Sequence, residues 1–292
     1  MFGLIGHPTA HSFSPSIHNL LAAELSHDLV YAAFDVAPDD VETALKGAHA
    51  LGVRGINVTA PYKEAVLPFL ASIDDLAAKI GAVNTLKYAP GGYVGYNTDT
   101  EGLLAALAKL GFSPKARTVT IIGAGGAARA AAFAAESGGA ASVNIINRSI
   151  ERAEELSERV SRHFPKNISV FSLDDASAIQ SPGIVIQTSS VGMESDASPI
   201  NDIEFLARAD AVLDIIYNPW ETKFLKLARG EARRGELKTA NGFAMLVFQA
   251  FKSYEIWQDM ILTNQTRRKI YNSLELLREK ALWEPASPKI SG

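Results

Sequence analysis

Residues 118–130 read TVTIIGAGGAARA, and they join three elements without a break. TVTII is typical of a buried strand, the glycines follow the spacing G-x-G-x-x-A, and the alanine-rich end is typical of a helix. Gly123 permits a tight turn, Gly125 lets a pyrophosphate approach the backbone, and Ala128 lets the helix pack against the strand. The helix N-terminus presents free N–H groups to phosphates. The segment therefore predicts a dinucleotide-binding unit, and a glycine-rich turn that binds nothing is the alternative.

The end of the next apolar run indicates which dinucleotide binds. SVNIIN (142–147) ends in Asn147-Arg148-Ser149, and Arg152 follows one helical turn later. NAD-binding units usually carry Asp or Glu at this strand end, where it contacts the ribose 2′-hydroxyl. This strand end has no acid, and guanidinium groups suit a 2′-phosphate by charge and geometry. We expect NADP rather than NAD, and the alternative is that Arg152 is only a solvated helix residue.

Strand-like and helix-like segments alternate on both sides of this unit. The segment 150–164 has an apolar residue every three or four positions, and PGG at 90–92 separates the two halves of a hairpin. The alternation predicts two parallel-sheet α/β domains, the second a Rossmann dinucleotide-binding domain, with C-terminal helices that return to the first. The remaining strand-like runs are 2–6, 30–36, 55–59, 168–172, 184–189 and 211–217.

A chain of 292 residues is long enough for about two domains. We expect boundaries near residue 100, where a helix leads into a new strand, and near 238, after the last strand-like run. The predicted domains are 1–100 plus 239–292, which would bind substrate and carry the catalytic residues, and 101–238, the NADP-binding Rossmann domain. The terminal helices are expected to extend to residue 282.

Composition excludes several classes of protein. Hydrophobic residues make up 47% of the chain and charged residues 21%, so the chain is not mostly disordered. The net charge of -4 argues against nucleic-acid and membrane-surface binding. No apolar run reaches the roughly 18 residues of a membrane span, and no signal peptide is expected. The absence of cysteine fits a cytoplasmic protein, and the six histidines have no metal-ligand spacing, so no metal is expected.

Polar residues concentrate in four short clusters within the first hundred residues. Each cluster alone is ordinary turn and capping chemistry. If each follows a strand of one parallel sheet, however, all four share the edge where ligands usually bind. Lys63 and Asp99 are then the pair that handles protons. The clusters are HSFSP (11–15), NVTAPYK (57–63), GAVNT (81–85) and NTD (97–99).

These motifs, in this order, resemble the shikimate dehydrogenase family. The resemblance is carried by GLIGHPTAHSFSPSIHN, GINVTAPYK, GAVNT, GYNTDTEG, IIGAGGAARA, INRS, DIIYNP and NGFAMLVFQA, and it runs from residue 3 to about residue 257. The first four motifs are specific to that family and its close relatives, whereas many oxidoreductases share the glycine turn. The resemblance implies reduction of 3-dehydroshikimate to shikimate by NADPH.

The family pattern also implies roles for individual residues. Ser12, Ser14 and Tyr217 would hold the substrate carboxylate, and Lys63 would be the acid/base residue, paired with Asp99. The ring hydroxyls would be bound by Asn57, Thr59, Asn84, Asp99 and Gln249. The pyrophosphate would be bound by Gly123, Ala124, Gly125, Gly126 and Ala127, and the 2′-phosphate by Asn147, Arg148, Ser149 and Arg152. The path to the nicotinamide would be lined by Thr188, Ser189 and Val191, followed by Gly192 and Met193. Gly242 and Met245 would lie near the nicotinamide.

Ketone reduction explains why these residue types occur together. The nicotinamide supplies a hydride, and the protein must supply a proton to the developing alkoxide, which an ammonium group can do. Hydroxyl and amide side chains suit a polyol, because each buried ring hydroxyl needs a partner. The alternatives are a quinate/shikimate or aminoshikimate dehydrogenase, or a non-enzymatic relative that senses the metabolite. The expected partner is the small-molecule substrate (shikimate or 3-dehydroshikimate), and the chain could also form a homodimer.

Overall fold

A computed structural model describes residues 1–10, 12–164, 167–231 and 237–279. His11, at the start of the first polar cluster, and the predicted helical residues beyond 279 therefore lie outside the described residues. The chain divides into two compact units. Unit 1 comprises Met1–Ala78, Ala82–Thr98 and the chain from Ala250 onward, and unit 2 comprises Lys79–Gly81 and Asp99–Gln249.

Unit 1 contains one mixed sheet with the strand order β2-β1-β3-β5-β6-β4. β1, β2 and β3 are parallel, whereas β5 runs antiparallel to both β3 and β6. Its strands are β1 (Phe2–Gly6), β2 (Tyr31–Asp35), β3 (Gly55–Val58), β4 (Ser72–Ile73), β5 (Thr85–Ala89) and β6 (Gly92–Tyr96). Its helices before residue 79 are α1 (Ser14–Glu24), α2 (Val41–Ala50) and the start of α3 (Asp75–Ile80).

The prediction of two parallel-rich α/β units is confirmed, but the first sheet is not wholly parallel. The predicted hairpin at 85–99 is its antiparallel part, formed by β5 and β6. A tight turn reverses the chain at this point, and parallel strands would need a crossover of a dozen or more residues. Gly92 has φ = 134°, a conformation that side chains rarely adopt.

Unit 2 contains a wholly parallel sheet with the order β12-β11-β10-β7-β8-β9. This is the doubly wound dinucleotide-binding order, whose crevice opens between the first and fourth strands, here β7 and β10. The strands are β7 (Thr118–Ile122), β8 (Ser142–Asn147), β9 (Asn167–Ser172), β10 (Gly183–Gln187), β11 (Ala209–Asp214) and β12 (Lys238–Ala240). The helices are α4 (Asp99–Leu110), α5 (Gly126–Ser137), α6 (Ile150–Ser161), α7 (Ile203–Ala207) and α8 (Lys223–Glu231).

Small side chains let the helices of unit 2 lie close to its sheet. In α5 the alanines from Ala130 to Ala132 are at most 1% exposed. The predicted apolar stripe of α6 is buried at its centre, at Ala153, Leu156 and Val160. Strand β12 was not predicted, because three residues carry too little pattern to be recognised as a strand.

The C-terminal helices are α9 (Phe243–Gln258) and α10 (Asn264–Glu279). The second half of α9 packs on the unit 1 sheet, where the indole Nε1 of Trp257 donates to the carbonyl oxygen of Leu86 at 2.9 Å. A Cβ at Gly55 would lie 2.4 Å from that indole nitrogen, so glycine is needed for the contact. Among the described residues, no helix combines the length and apolar character needed to cross a bilayer.

Candidate active site

The polar clusters of unit 1 share one sheet edge, but not for the predicted reason. Asn84 precedes β5 instead of following a strand. Because β5 is antiparallel, its start lies beside the end of β3, and Asn57 pairs in register with Thr85. β6 runs back to the same edge, where Thr85 pairs with Tyr96 and Thr98 follows. The antiparallel hairpin therefore brings together residues that the sequence analysis assigned to the ends of parallel strands.

A buried hydrogen-bond network connects these clusters. The Asn57 Nδ2 group donates to the carbonyl oxygen of Asn84 at 3.0 Å and to the hydroxyl of Thr85 at 3.1 Å. Asn84 Oδ1 accepts from the backbone N–H of Thr98 at 2.8 Å. Ser253, in α9, lies 2.7 Å from the Thr85 hydroxyl and 3.2 Å from that of Thr98. All five residues are at most 5% exposed. The network therefore fixes the backbone and side chain of Asn84.

Both the oxygen and the NH₂ group of the Asn57 amide form hydrogen bonds within the protein. Its Oδ1 accepts from the Tyr31 hydroxyl at 2.8 Å, and its Nδ2 faces protein acceptors. This geometry favours a role in holding Asn84 over direct contact with a ring hydroxyl.

The serine motif lies at the start of α1. Ser14 is the first residue of the helix and is 6% exposed, and its backbone N–H donates to the Ser12 hydroxyl at 3.3 Å. Thr59 is half-buried, and its N–H donates to the carbonyl oxygen of Ile5 at 3.0 Å, beside the end of β1. The predicted carboxylate-binding serines and Thr59 thus follow β1 and β3, which are neighbours in the sheet.

Lys63 is half-buried, and its backbone is tied to another cluster of the same unit. Its carbonyl oxygen accepts from the N–H of Val83 at 2.8 Å, next to Asn84. Asp99 is 4% exposed and begins α4 in unit 2. Because the two residues belong to different units, the pairing of Lys63 with Asp99 stays a prediction.

Two further predicted substrate residues lie in unit 2. Tyr217 is half-buried in the loop after β11, and Gln249 is 8% exposed in α9. Gln249 Nε2 donates to the carbonyl oxygen of Leu246 at 2.8 Å. A Cβ at Gly102 would lie 2.8 Å from that of Gln249, so this glycine lets α4 and α9 approach closely.

In the glycine turn after β7, the structure leaves no room for a side chain at Gly123 but leaves open space at Gly125. Gly123 has φ = 120°, and a Cβ there would lie 2.6 Å from the Thr188 hydroxyl. The backbone of Gly125 is extended, and a Cβ there would meet no atom within 4 Å. Gly126 begins α5, and Ala124 and Ala127 are half-buried on either side of the turn. The helix N-terminus with open space before it fits the pyrophosphate of a dinucleotide.

The loop after β10 lies across the crevice from this turn and is organised by Gln187. The side chain of Gln187 is fully buried, and its Nε2 donates to the carbonyl oxygens of Ser189 and Val191 at 3.0 and 3.2 Å. Thr188 bonds to the carbonyl oxygen of Ile122 at the end of β7 through its N–H and its hydroxyl, both at 2.8 Å. Val191 is 38% exposed at the tip of the loop.

The end of β8 carries the predicted 2′-phosphate residues together with an acid. Arg148 and Arg152 are exposed, and Asn147 Nδ2 donates to the carbonyl oxygen of Ser149 at 2.8 Å. The Ser149 hydroxyl donates to Glu151 Oε2 at 2.7 Å, and this bond lowers the pKa of Glu151. The strand end itself has no acid, but Glu151 follows Ser149 by two residues and precedes Arg152. The pattern of the strand end gives no sign of this carboxylate, because Glu151 lies in the helix that follows.

The start of α9 lies against the loop after β11. A Cβ at Gly242 would lie 1.8 Å from the carbonyl oxygen of Ile215, so only glycine fits. Met245, one turn later, is 8% exposed. Asp214 anchors this loop by accepting from the Ile216 N–H at 3.0 Å and the Thr222 hydroxyl at 2.6 Å. Burial raises the pKa of Asp214 to about 6 despite these two hydrogen bonds.

Family models and curated relatives match most of the chain. The family model for the shikimate dehydrogenase substrate binding domain matches residues 4–86, and that for shikimate / quinate 5-dehydrogenase matches 106–212. The chain is 42% identical over 259 residues to the shikimate dehydrogenase (NADP(+)) of Caldanaerobacter subterraneus subsp. tengcongensis, covering 88% of this chain and 91% of the relative. The chain belongs to the shikimate dehydrogenase family.

Solved structures of shikimate dehydrogenases share the fold over nearly the whole chain. The shikimate 5-dehydrogenase of Thermus thermophilus, in complex with NADP(H) and shikimate, has a TM-score of 0.80 and 32% identity, covering 93% of this chain and 98% of that one. A chorismate mutase/shikimate 5-dehydrogenase fusion from Clostridium acetobutylicum has a TM-score of 0.84 and 33% identity, covering 95% and 98%. The family resemblance predicted from the motifs is confirmed.

Three buried polar residues that the motifs do not indicate contact the predicted site residues. Tyr31, Gln187 and Ser253 are buried and hydrogen-bonded to predicted site residues or to their loops. Each belongs to a strand or helix and to none of the motifs, although an uncharged polar residue in an apolar run is a cue. In the described part of the chain, no three His, Cys, Asp or Glu side chains lie together as a metal site would require.

Proposed function

We propose that this protein catalyses the reversible NADPH-dependent reduction of 3-dehydroshikimate to shikimate, a step of aromatic amino-acid biosynthesis. The observation that carries the proposal is the presence of two sites in one chain of this family. In unit 1, the carbonyl oxygen of Lys63 accepts from the N–H of Val83, next to the buried hydroxyl and amide network that includes Asn84, and unit 2 holds an open glycine turn at its crevice. A polyol and a dinucleotide are the ligands that suit these two sites.

The substrate would be oriented by hydroxyl, amide and carboxylate side chains. The hydroxyls of Ser12, Ser14 and Tyr217 would donate to its carboxylate, and the half-buried Thr59 would reach a ring hydroxyl. The other ring-hydroxyl partners would be Asn84, Asp99 and Gln249. In this proposal Asn57 acts by holding Asn84, which its amide contacts support.

Lys63 would supply the proton. The nicotinamide provides the hydride when it is bound, and the alkoxide that develops on the substrate needs a proton donor within hydrogen-bond reach. An ammonium stabilises the negative charge on that oxygen before it donates, and in the oxidation of shikimate the neutral amine of Lys63 would accept the proton. A carboxylate at Asp99 would orient the lysine side chain.

The cofactor would be held by the edge of the unit 2 sheet. The N–H groups from Gly123 to Ala127 would bind the pyrophosphate, and Arg148 and Arg152 would bind the 2′-phosphate with Asn147 and Ser149. The loop of Thr188, Ser189 and Val191, with Gly242 and Met245, would border the nicotinamide. The open space at Gly125 supports this assignment, because it leaves room for a phosphate beside the backbone.

The test is an absorbance assay for reduced nicotinamide with purified protein, shikimate and NADP. Parallel reactions with quinate, with an amino analogue of shikimate and with NAD distinguish the related dehydrogenases. We expect the highest kcat/KM with shikimate and NADP. No turnover with any pair would favour a non-enzymatic relative that binds the metabolite, and a preference for quinate would reassign the substrate.

The proposal extends to a cytoplasmic location and a homodimeric assembly. The lack of cysteine suits a reducing compartment. Strand β2 is at the edge of its sheet, and Phe34 within it and Val30 just before it are exposed, which gives a surface that a second copy could cover. Cell fractionation tests the location. Light scattering tests the assembly, and a monomer at micromolar concentration would refute the dimer.

A further inference from the structure

Tyr31 is a buried tyrosine at the start of an edge strand, and neither the motifs nor the proposed reaction gives it a role. It is 2% exposed, and its hydroxyl donates to Asn57 Oδ1 at 2.8 Å. Its backbone is clamped by Asn19, whose side chain accepts from the Tyr31 N–H at 2.9 Å and donates to the Tyr31 carbonyl oxygen at 3.0 Å. The imidazole of His18 stacks on its ring with centroids 4.3 Å apart. The hydrogen bond to Asn57, the backbone contacts with Asn19 and the stacking on His18 together fix the position of this hydroxyl.

The orientation of the Asn57 amide follows from its neighbours. The carbonyl oxygen of Asn84 can only accept a hydrogen bond, and it lies 3.0 Å from one end of the amide, so that end is the NH₂ group. The other end is then the amide oxygen, and the Tyr31 hydroxyl is its donor. Without that donor, the buried oxygen would lose its hydrogen bond from Tyr31, which favours rotation of the amide.

The amide of Asn57, on strand β3, holds Asn84 at the start of the neighbouring strand β5. Beyond the Asn84 carbonyl, the same NH₂ group donates to Thr85 and Ser253, both at 3.1 Å. The Ser253 hydroxyl is hydrogen-bonded to the hydroxyls of Thr85 and Thr98. The backbone N–H of Thr98 in turn donates to Asn84 Oδ1. A change in the Asn57 amide would therefore loosen Asn84 at its backbone and at its side chain.

We propose that Tyr31 is a positioning residue for the substrate, which acts by locking the Asn57 amide in the orientation that holds Asn84. The inference rests on the proposed function, because it takes Asn84 as a substrate contact. Substrate binding would then depend on a residue of strand β2, which lies outside every motif of the site. Loss of the hydroxyl should weaken substrate binding without affecting the cofactor, whose predicted residues are in unit 2.

The experiment measures steady-state kinetics of Tyr31→Phe with shikimate and NADP. We expect the KM for shikimate to rise about five- to tenfold, with a smaller change in kcat and an unchanged KM for NADP. Tyr93→Phe is the matched control. Tyr93 is also 2% exposed in unit 1, and its hydroxyl donates to the carbonyl oxygen of Val53 at 2.9 Å, outside this network. An equal rise in the control would show a general effect of losing a buried hydroxyl and would overturn the proposal.

A double-mutant cycle tests whether Tyr31 acts through Asn57. In an Asn57→Ala background, Tyr31→Phe should change the KM for shikimate less than about twofold further, because the amide that it orients is gone. Multiplicative effects would overturn the proposal, as would an unchanged KM in the single variant. If Tyr31→Phe does not fold, Asn19→Ala decides, because it releases the backbone of Tyr31 and leaves the acceptors of the Asn57 amide in place. A severalfold rise in KM then supports the proposal, and none refutes it. An inactive wild-type protein would instead refute the proposed function.

Discussion

The hydroxyl of Ser149 donates to the carboxylate of Glu151 at 2.7 Å, and exposed arginines flank these two residues in the sequence, at 148 and 152. If these residues bind the 2′-phosphate of NADP as proposed, the contact holds a negative charge beside that phosphate, and it engages the proton that Ser149 would otherwise donate to it. The proposed 2′-phosphate site therefore combines groups that favour the phosphate with one that opposes it.

Glu151→Gln should tighten NADP binding. Removing the charge relieves repulsion of the 2′-phosphate, so we expect the Kd for NADP to fall roughly fivefold and the Kd for NAD to change little. Titration calorimetry at low salt measures both, and the gain should shrink as salt screens the charges. Glu158→Gln, which makes the same charge change two turns along α6, is the control. A similar gain there would indicate net charge as the cause.

Replacing Arg148 and Arg152 together by Ala should weaken NADP far more than NAD. Only NADP carries the 2′-phosphate, so only its binding loses charge-assisted hydrogen bonds. We therefore expect a roughly 30-fold rise in the Kd for NADP. The Kd for NAD should stay within about threefold. Equal losses for the two dinucleotides would refute the assignment of these arginines to the 2′-phosphate.

Lys63→Ala should reduce kcat by about 100-fold or more, because no other group would supply the proton as efficiently. The KM for shikimate should change much less. Lys46→Ala is the control, since Lys46 is an exposed lysine of the same unit that pairs with Glu42 at 2.7 Å. Turnover of Lys63→Ala at the wild-type rate would show that Lys63 is not the acid/base residue.

Gly125→Ala and Gly123→Ala should separate cofactor binding from stability. A methyl group at Gly125 meets no atom, so the free energy of unfolding should stay within about 0.5 kcal/mol while the affinity for NADP falls at least about tenfold. At Gly123, φ = 120° and the contact with Thr188 should cost roughly 1–2 kcal/mol of stability. Thermal unfolding with and without NADP measures both effects, and unchanged NADP affinity in Gly125→Ala would contradict the pyrophosphate assignment.

His18 should make the protein less stable in mild acid. Burial lowers its pKa from 6.5 to about 3, so between these values only the unfolded chain takes up the proton. The stability contributed by neutral His18 is complete above pH 6.5 and is lost as the pH falls, by about 2 kcal/mol at pH 5. His18→Phe keeps an aromatic ring against Tyr31 and should lose that much less stability between about pH 7.5 and 5. Identical pH dependence in urea unfolding would exclude the effect.

Much of the fold could be predicted because its signals are local. The strand, glycine turn and alanine-rich helix at 118–130 indicate a dinucleotide-binding unit, and the spacing of Ala153, Leu156 and Val160 gives one buried face of α6. What failed was the position of one polar cluster relative to its strand. The cluster containing Asn84 was assigned to a strand end, whereas it begins the antiparallel β5.

The sequence by itself determined the family, the dinucleotide-binding unit and the residue types available for the chemistry, because each is written in a short contiguous motif. The tertiary structure decided which of those residues touch. Ser253 meets Asn57 across 196 positions of chain, and Tyr31 meets it across 26. Such contacts depend on strand order, strand direction and the packing of α9 on the sheet. They arise from burial of whole elements, which no local pattern of residues encodes.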